Sequence, residues 1–191
     1  MRSGTRGRGI SGREKKEPTE EKALVNWHCY GEGNLMSPEF VAFLLEAKRR
    51  TYAAQGDDAT VEPALPGSKQ LEYCSGEYLY RDVYFGIRCF VGQETVYRAG
   101  RPVWSMAYGG GIARSGLTMQ EVRSVYAFLR EAMRLVQLDQ PFRGPANHRT
   151  PPYTYSCSAT GDLGLFWGTE AISDEEGVAY RLHFSGARVD Q

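Results

Sequence analysis

Apolar positions recur along this chain at two periods. Over residues 37–54, Phe40, Phe43, Leu44, Ala47 and Thr51 come three to four apart, the spacing of one helix face. Ser37 can cap that helix, Pro38 suits its first turn, and Glu39 favours its positive end. Over 118–137 the same period returns at Val122, Val125, Tyr126, Leu129, Met133 and Val136, behind a Thr118-x-x-Glu121 capping box. Elsewhere the period is two. Runs at 71–73 and 77–85 flank Ser75-Gly76, and runs at 89–98 and 102–108 flank Ala99-Gly100, which predicts two hairpins. Further strands are expected at 153–158, 163–172 and 178–185, with irregular loops at 55–68 and 139–152.

The order helix, strands, helix, strands predicts an α+β fold. A curved antiparallel sheet of about six to seven strands would be backed by the two helices. No internal repeat is visible. Residues 1–35 carry Arg, Gly, Ser and Glu with little to bury, so they read as a poorly ordered extension before a single domain over 36–191. Met36 reads as the natural start, which the intact mass of the natively expressed protein checks.

With 191 residues the chain suits one domain of roughly 150 residues plus a tail. Basic and acidic residues balance at 23 each, so there is no basic field to hold a nucleic acid or an anionic membrane. The four cysteines, Cys29, Cys74, Cys89 and Cys157, lack metal-ligand spacing, and no signal peptide precedes them. That pattern points to free thiols in a cytoplasmic protein with no metal and no cofactor. Cys89 and Cys157 read as small buried hydrophobes. Of the three histidines, His28 falls in the tail and His148 in a loop, while His183 points away from the core.

Residues 78–108 hold the candidate chemistry. Tyr78, Tyr80, Asp82 and Tyr84 share one strand face, and Leu79, Arg81, Val83 and Phe85 the other. Phe90, Gly92, Glu94 and Val96 share a face of the next strand, and Trp104, Met106 and Tyr108 of the one after. Charges within an apolar strand pattern are costly unless paired or used. Either tyrosines, a tryptophan and carboxylates converge on a ligand pocket, or Arg81 pairs with Glu94 or Asp82 inside plain core. Two carboxylates also suit general acid–base work, but no other signature of hydrolysis and no G-x-S-x-G elbow accompanies them. Gly109-Gly110-Gly111 lacks the endings of phosphate-binding loops and reads as a flexible strand-to-helix connection. Arg143, in the stiff turn Pro141-Phe142-Arg143-Gly144-Pro145, either reaches a ligand anion or caps the preceding helix.

Phe43-Leu44-Leu45-Glu46-Ala47-Lys48, Gly67-Ser68-Lys69, Tyr80-Arg81-Asp82 with Tyr84-Phe85-Gly86, Phe90-Val91-Gly92-Gln93-Glu94, Pro102-Val103-Trp104 with Met106 and Tyr108, and Phe142-Arg143-Gly144-Pro145 follow one another along the chain. In that order these short motifs resemble a bacterial domain-of-unknown-function family that occurs alone or behind an XRE-type helix-turn-helix. The resemblance implies effector sensing by association, without the helix-turn-helix, for which residues 1–35 are too short and polar.

The resulting expectation is a small-molecule-binding module with no catalytic residue. Tyr80, Tyr84, Trp104 and Tyr108 would form its walls, and Arg81, Asp82, Glu94 and Arg143 would orient the ligand. The alternatives are an enzyme using Asp82 or Glu94 as general acid or base, and a module that docks a partner or a second copy of itself.

Overall fold

The computed structural model of the chain describes Met1, residues 37–54 and residues 60–189. The expected extension over 1–35, the start at Met36, Cys29 and His28 lie, Met1 apart, outside these residues. Two helices, α1 (Pro38–Arg50) and α2 (Met119–Arg134), accompany nine strands: β1 (Thr60–Val61), β2 (Lys69–Ser75), β3 (Tyr78–Gly86), β4 (Cys89–Arg98), β5 (Arg101–Ile112), β6 (Asn147–Thr150), β7 (Tyr153–Asp162), β8 (Leu165–Asp174) and β9 (Gly177–Arg188). All pair antiparallel in one open sheet of order β1-β2-β3-β4-β5-β9-β8-β7-β6.

The fold is thus mostly sheet, with nine strands rather than six to seven. The short edge strands β1 and β6 are the two added to the seven expected runs, and Asn-His-Arg-Thr at β6 shows no apolar alternation. Gly109, Gly110 and Gly111 correct a second expectation. They continue β5 and pair with β4 and β9 rather than forming a loop. A Cβ on Gly110 would stand 2.3 Å from the Arg181 carbonyl oxygen, so the missing side chain lets the strands close.

Both helix starts follow their sequence signals. The Ser37 hydroxyl accepts from the Phe40 N–H, and the Thr118–Glu121 box is complete. Phe40, Phe43 and Leu44 of α1 and Val125, Phe128 and Leu129 of α2 join Tyr80, Trp104, Met106, Phe166, Tyr180 and Phe184 of the sheet in one core. The other sheet face leaves Val91 and Trp167 exposed.

Each half of the chain is a helix followed by a meander, and the last strands of the halves, β5 and β9, pair antiparallel at the centre. The match is close at the residue scale. Gly92 stands opposite Tyr108 as Gly168 stands opposite Phe184, and Glu94 opposite Met106 as Glu170 stands opposite Leu182. Register shifts follow Val96 in β4 and Ile172 in β8. Two glutamates therefore face the core from equivalent places on either side of the midline.

Candidate functional site

Those two glutamates anchor a buried ionic cluster. Glu94 stands directly opposite Asp82 across the β3–β4 pair, on the helix-covered face. Lys48, four residues after Leu44 on the buried side of α1, forms an ion pair with Glu94 and lies 5.7 Å from the Trp104 ring centroid. Arg143 reaches the midline from the loop after α2. Its Nη1 is 3.4 Å from Glu94 Oε1, and its Nη2 donates to Glu170 Oε1 at 2.8 Å. Phe142 next to it stacks on Phe166 at 4.4 Å, and the Gly144 N–H donates to the Tyr155 hydroxyl at 3.0 Å. Those contacts seat the loop and aim the guanidinium between the half-related acids.

Glu170 also accepts from Tyr155 at 2.6 Å and Tyr180 at 2.7 Å. Burial opposes its charge, but the Arg143 charge and these hydrogen bonds hold its carboxylate below the usual range. Burial likewise works against Arg143, whose pKa is nonetheless raised by Glu170 and Tyr180 beside it. Burial lowers Lys48 in spite of its pairing with Glu94.

Of the three core-facing acids, Asp82 is in contact with no cation among the described residues. Its Oδ1 accepts from the Tyr108 hydroxyl at 2.6 Å. Burial, reinforced by Glu94 across the strand pair, pushes its carboxyl up to about 7, against the opposing influence of Tyr108, Arg143 and Lys48. With Lys48 and Arg143 balancing Glu94 and Glu170, the Asp82 proton decides the net charge of the cluster.

Beside this cluster, between the β3–β4 turn, α2 and the 3₁₀ turn at Tyr52–Ala54, is a cavity of about 130 Å³. Tyr52, Tyr84, Phe90, Tyr108 and Tyr126 form its aromatic walls, and Gly86 and Ile87 border it. Its ionic lining consists of Lys69, Arg130 and Arg143. The walls brace one another and are fastened at two points. Phe90 lies within 6.0–6.5 Å of the Tyr84, Tyr108, Tyr126 and Tyr180 rings, centroid to centroid. The Tyr126 hydroxyl donates to the carbonyls of Ile87 and Arg88 at 2.9 Å, fastening α2 to the turn. Burial raises Tyr84 and Tyr126 and pushes Tyr52 up to about 12, so these hydroxyls remain donors at neutral pH. A Cβ on Gly92 would stand 2.4 Å from the Tyr108 hydroxyl oxygen, so only glycine there lets Tyr108 cross β4 toward Asp82.

The structure sorts the eight expected ligand residues. Tyr84, Tyr108 and Arg143 line the cavity. Asp82 lies behind Tyr108, and Glu94 behind Arg143. Tyr80 and Trp104 are sealed in the core. Arg81 is on the opposite face of β3, where it donates to Glu72 at 2.6 Å and lies 5.5 Å from the Tyr97 ring centroid. The expected pairing of Arg81 with Glu94 or Asp82 is therefore replaced by Lys48 and Arg143, because strand alternation turns Arg81 away. Nor does Arg143 cap α2; Arg49 instead donates to the Val136 carbonyl just beyond that helix. Cys89 is exposed rather than buried, while Cys157 is buried as expected. His183 is exposed, as its alternation predicts. Among the described residues no group of His, Cys, Asp and Glu could hold a metal ion, and no helix is long and apolar enough to cross a membrane.

Lys48 and Glu170 are absent from the sequence-based list of site residues, yet both had a signal. Lys48 interrupts the apolar side of α1, and Glu170 falls in step with Phe166 and Ile172 on the buried face of β8.

Residues 82–189, more than half of the chain, match a family described as a domain of unknown function (DUF5680). The chain belongs to this family. The DUF5680 match takes in Asp82, Glu94, Tyr108, Arg143 and Glu170, while Lys48 and Tyr52 fall before it. No curated protein matches the chain, and no solved structure does.

Proposed function

We propose that this protein is a small-molecule-binding module and that its ligand occupies the cavity between the β3–β4 turn and α2. The supporting observation is a hollow of about 130 Å³ in which Phe90 packs on the Tyr84, Tyr108 and Tyr126 rings while Tyr108 and Tyr126 are hydrogen-bonded to Asp82 and to the β3–β4 turn. Rings braced in this way do not collapse inward to fill the space. An apolar cavity of roughly 150 Å³ accommodates a benzene-sized guest, so the expected ligand, or its buried part, is about one ring in size. Arg143 connects the cavity wall to both halves of the sheet through Glu94 and Glu170, a geometry suited to passing ligand occupancy to the core. On this reading the module is an effector sensor, in keeping with the bacterial regulators that its motifs resemble, and it works in the cytoplasm.

A library of one-ring fragments scanned by thermal denaturation tests this. At least one fragment should raise Tm by several degrees near 100 times its Kd. Ile87→Trp, at a position 63% exposed on the cavity rim, should abolish the shift without unfolding the chain. Failure of every fragment to shift the wild-type protein contradicts the reading.

A catalytic reading has one observation in its favour, the Asp82 carboxyl near 7 behind Tyr108. It rests on Asp82 alone, because Glu94 is engaged by Lys48 and Arg143. Turnover of a bound fragment, lost in Asp82→Asn with binding intact, would favour it.

A further inference from the structure

We infer that the cavity selects a small organic anion, a flat apolar body of about one ring bearing a single carboxylate or phosphate group. The inference rests on the binding role proposed above and adds the class of ligand. Its first ground is the sign of the lining. Lys69, Arg130 and Arg143 border the cavity, and among the described residues no Asp or Glu does. The nearby carboxylates are turned away and occupied: Asp82 by the Tyr108 hydroxyl, Glu94 by Lys48 and Arg143, and Glu170 by Arg143, Tyr155 and Tyr180.

The second ground is two buried donors without acceptors. Arg143 is 4% exposed and spends Nη1 and Nη2 on the two glutamates, yet its Nε–H has no partner among the described residues. The Nε–H of Arg130 is also buried, and no described residue accepts from it. Buried donors are ordinarily satisfied, and two such guanidinium N–H groups on residues that line one cavity point to a missing acceptor. Lys69, exposed at the rim with its ammonium 5.8 Å from the Tyr84 ring centroid, has no acidic partner among the described residues. A neutral ligand would satisfy the donors weakly, and a cation would meet three like charges. An anion offers charge-assisted hydrogen bonds in a site of reduced dielectric, while the rings hold its body.

Four probes of one shape and different charge test this by equilibrium titration of the full chain: benzoate, phenyl phosphate, benzamide and benzylammonium. Benzoate or phenyl phosphate should bind about tenfold or more tightly than benzamide, with benzylammonium the weakest. The tighter of the two anions identifies the group the site prefers. Arg130→Met should cut the anion-to-amide ratio at least about threefold. Lys69→Met, at the exposed rim, gives the same reading in smaller measure should Arg130→Met fail to fold. Benzamide equal to both anions, benzylammonium tighter than either, or a ratio that no folded cation variant lowers would overturn the anion inference and leave the cavity reading standing. No binding by any of the four at about 10 mM would remove both.

Discussion

Asp82 is the residue whose charge the fold leaves open. Its carboxyl is raised from the ordinary 3.8 to about 7, so the folded protein holds this proton more tightly than the unfolded chain does. The associated stability is fully present below about pH 4 and is lost as pH rises through about 7. The loss should approach about 4 kcal/mol across that window, measured as denaturant unfolding free energy at successive pH values. Asp82→Asn keeps an acceptor for Tyr108 and should flatten this slope; an unchanged slope contradicts the assignment. Lys48 behaves differently because its partner cannot follow it into water. Lys48→Met should cost about 3 kcal/mol or more, since it leaves Glu94 with only the longer contact to Arg143. Lys48→Met combined with Glu94→Gln should recover much of that loss, and purely additive losses would show that the pair is uncoupled.

At the scale of elements, hydrophobic period was enough where side chains alternate. The starts of α1 and α2 and the β2–β3 and β4–β5 hairpins appear at or within a few residues of their expected places. It failed where side chains are absent or polar. Gly109 to Gly111 offer no alternation, and β6 is an edge with no apolar face. The site was half legible for a related reason. Alternation gave the strand faces of Asp82 and Tyr84, of Glu94 and of Tyr108, and the register joins those faces, but the partner that reorganises them comes from a loop. Nothing local in Pro141-Phe142-Arg143-Gly144-Pro145 says that its arginine will bridge β4 and β8. Gly92 shows how an element is shaped for the site. Gly92→Ala would place a methyl against the Tyr108 hydroxyl and should cost about 1–3 kcal/mol by displacing that ring. The expected readout is a lower Tm together with loss of ligand-induced stabilisation. Wild-type values for both would show that Tyr108 has room to spare.

At the scale of the whole molecule, the pairing of β5 with β9 joins two helix-and-meander halves, and Arg143 ties their equivalent glutamates together. The cavity lies on the β4 side of that tie, so ligand binding should stabilise both halves at once. The opposite sheet face, with Val91 and Trp167 exposed, is the surface a docking module would use. Sedimentation across a wide concentration range tests that alternative: mass that rises with concentration and falls back in Trp167→Ser supports docking, and constant mass removes self-association. The central claim meets its most direct test in a crystal structure of the protein with benzoate. The account predicts ring density among Tyr84, Phe90, Tyr108 and Tyr126, with the carboxylate toward Arg130 and Arg143. A cavity holding only water, or closed by a shift of those rings, would contradict it.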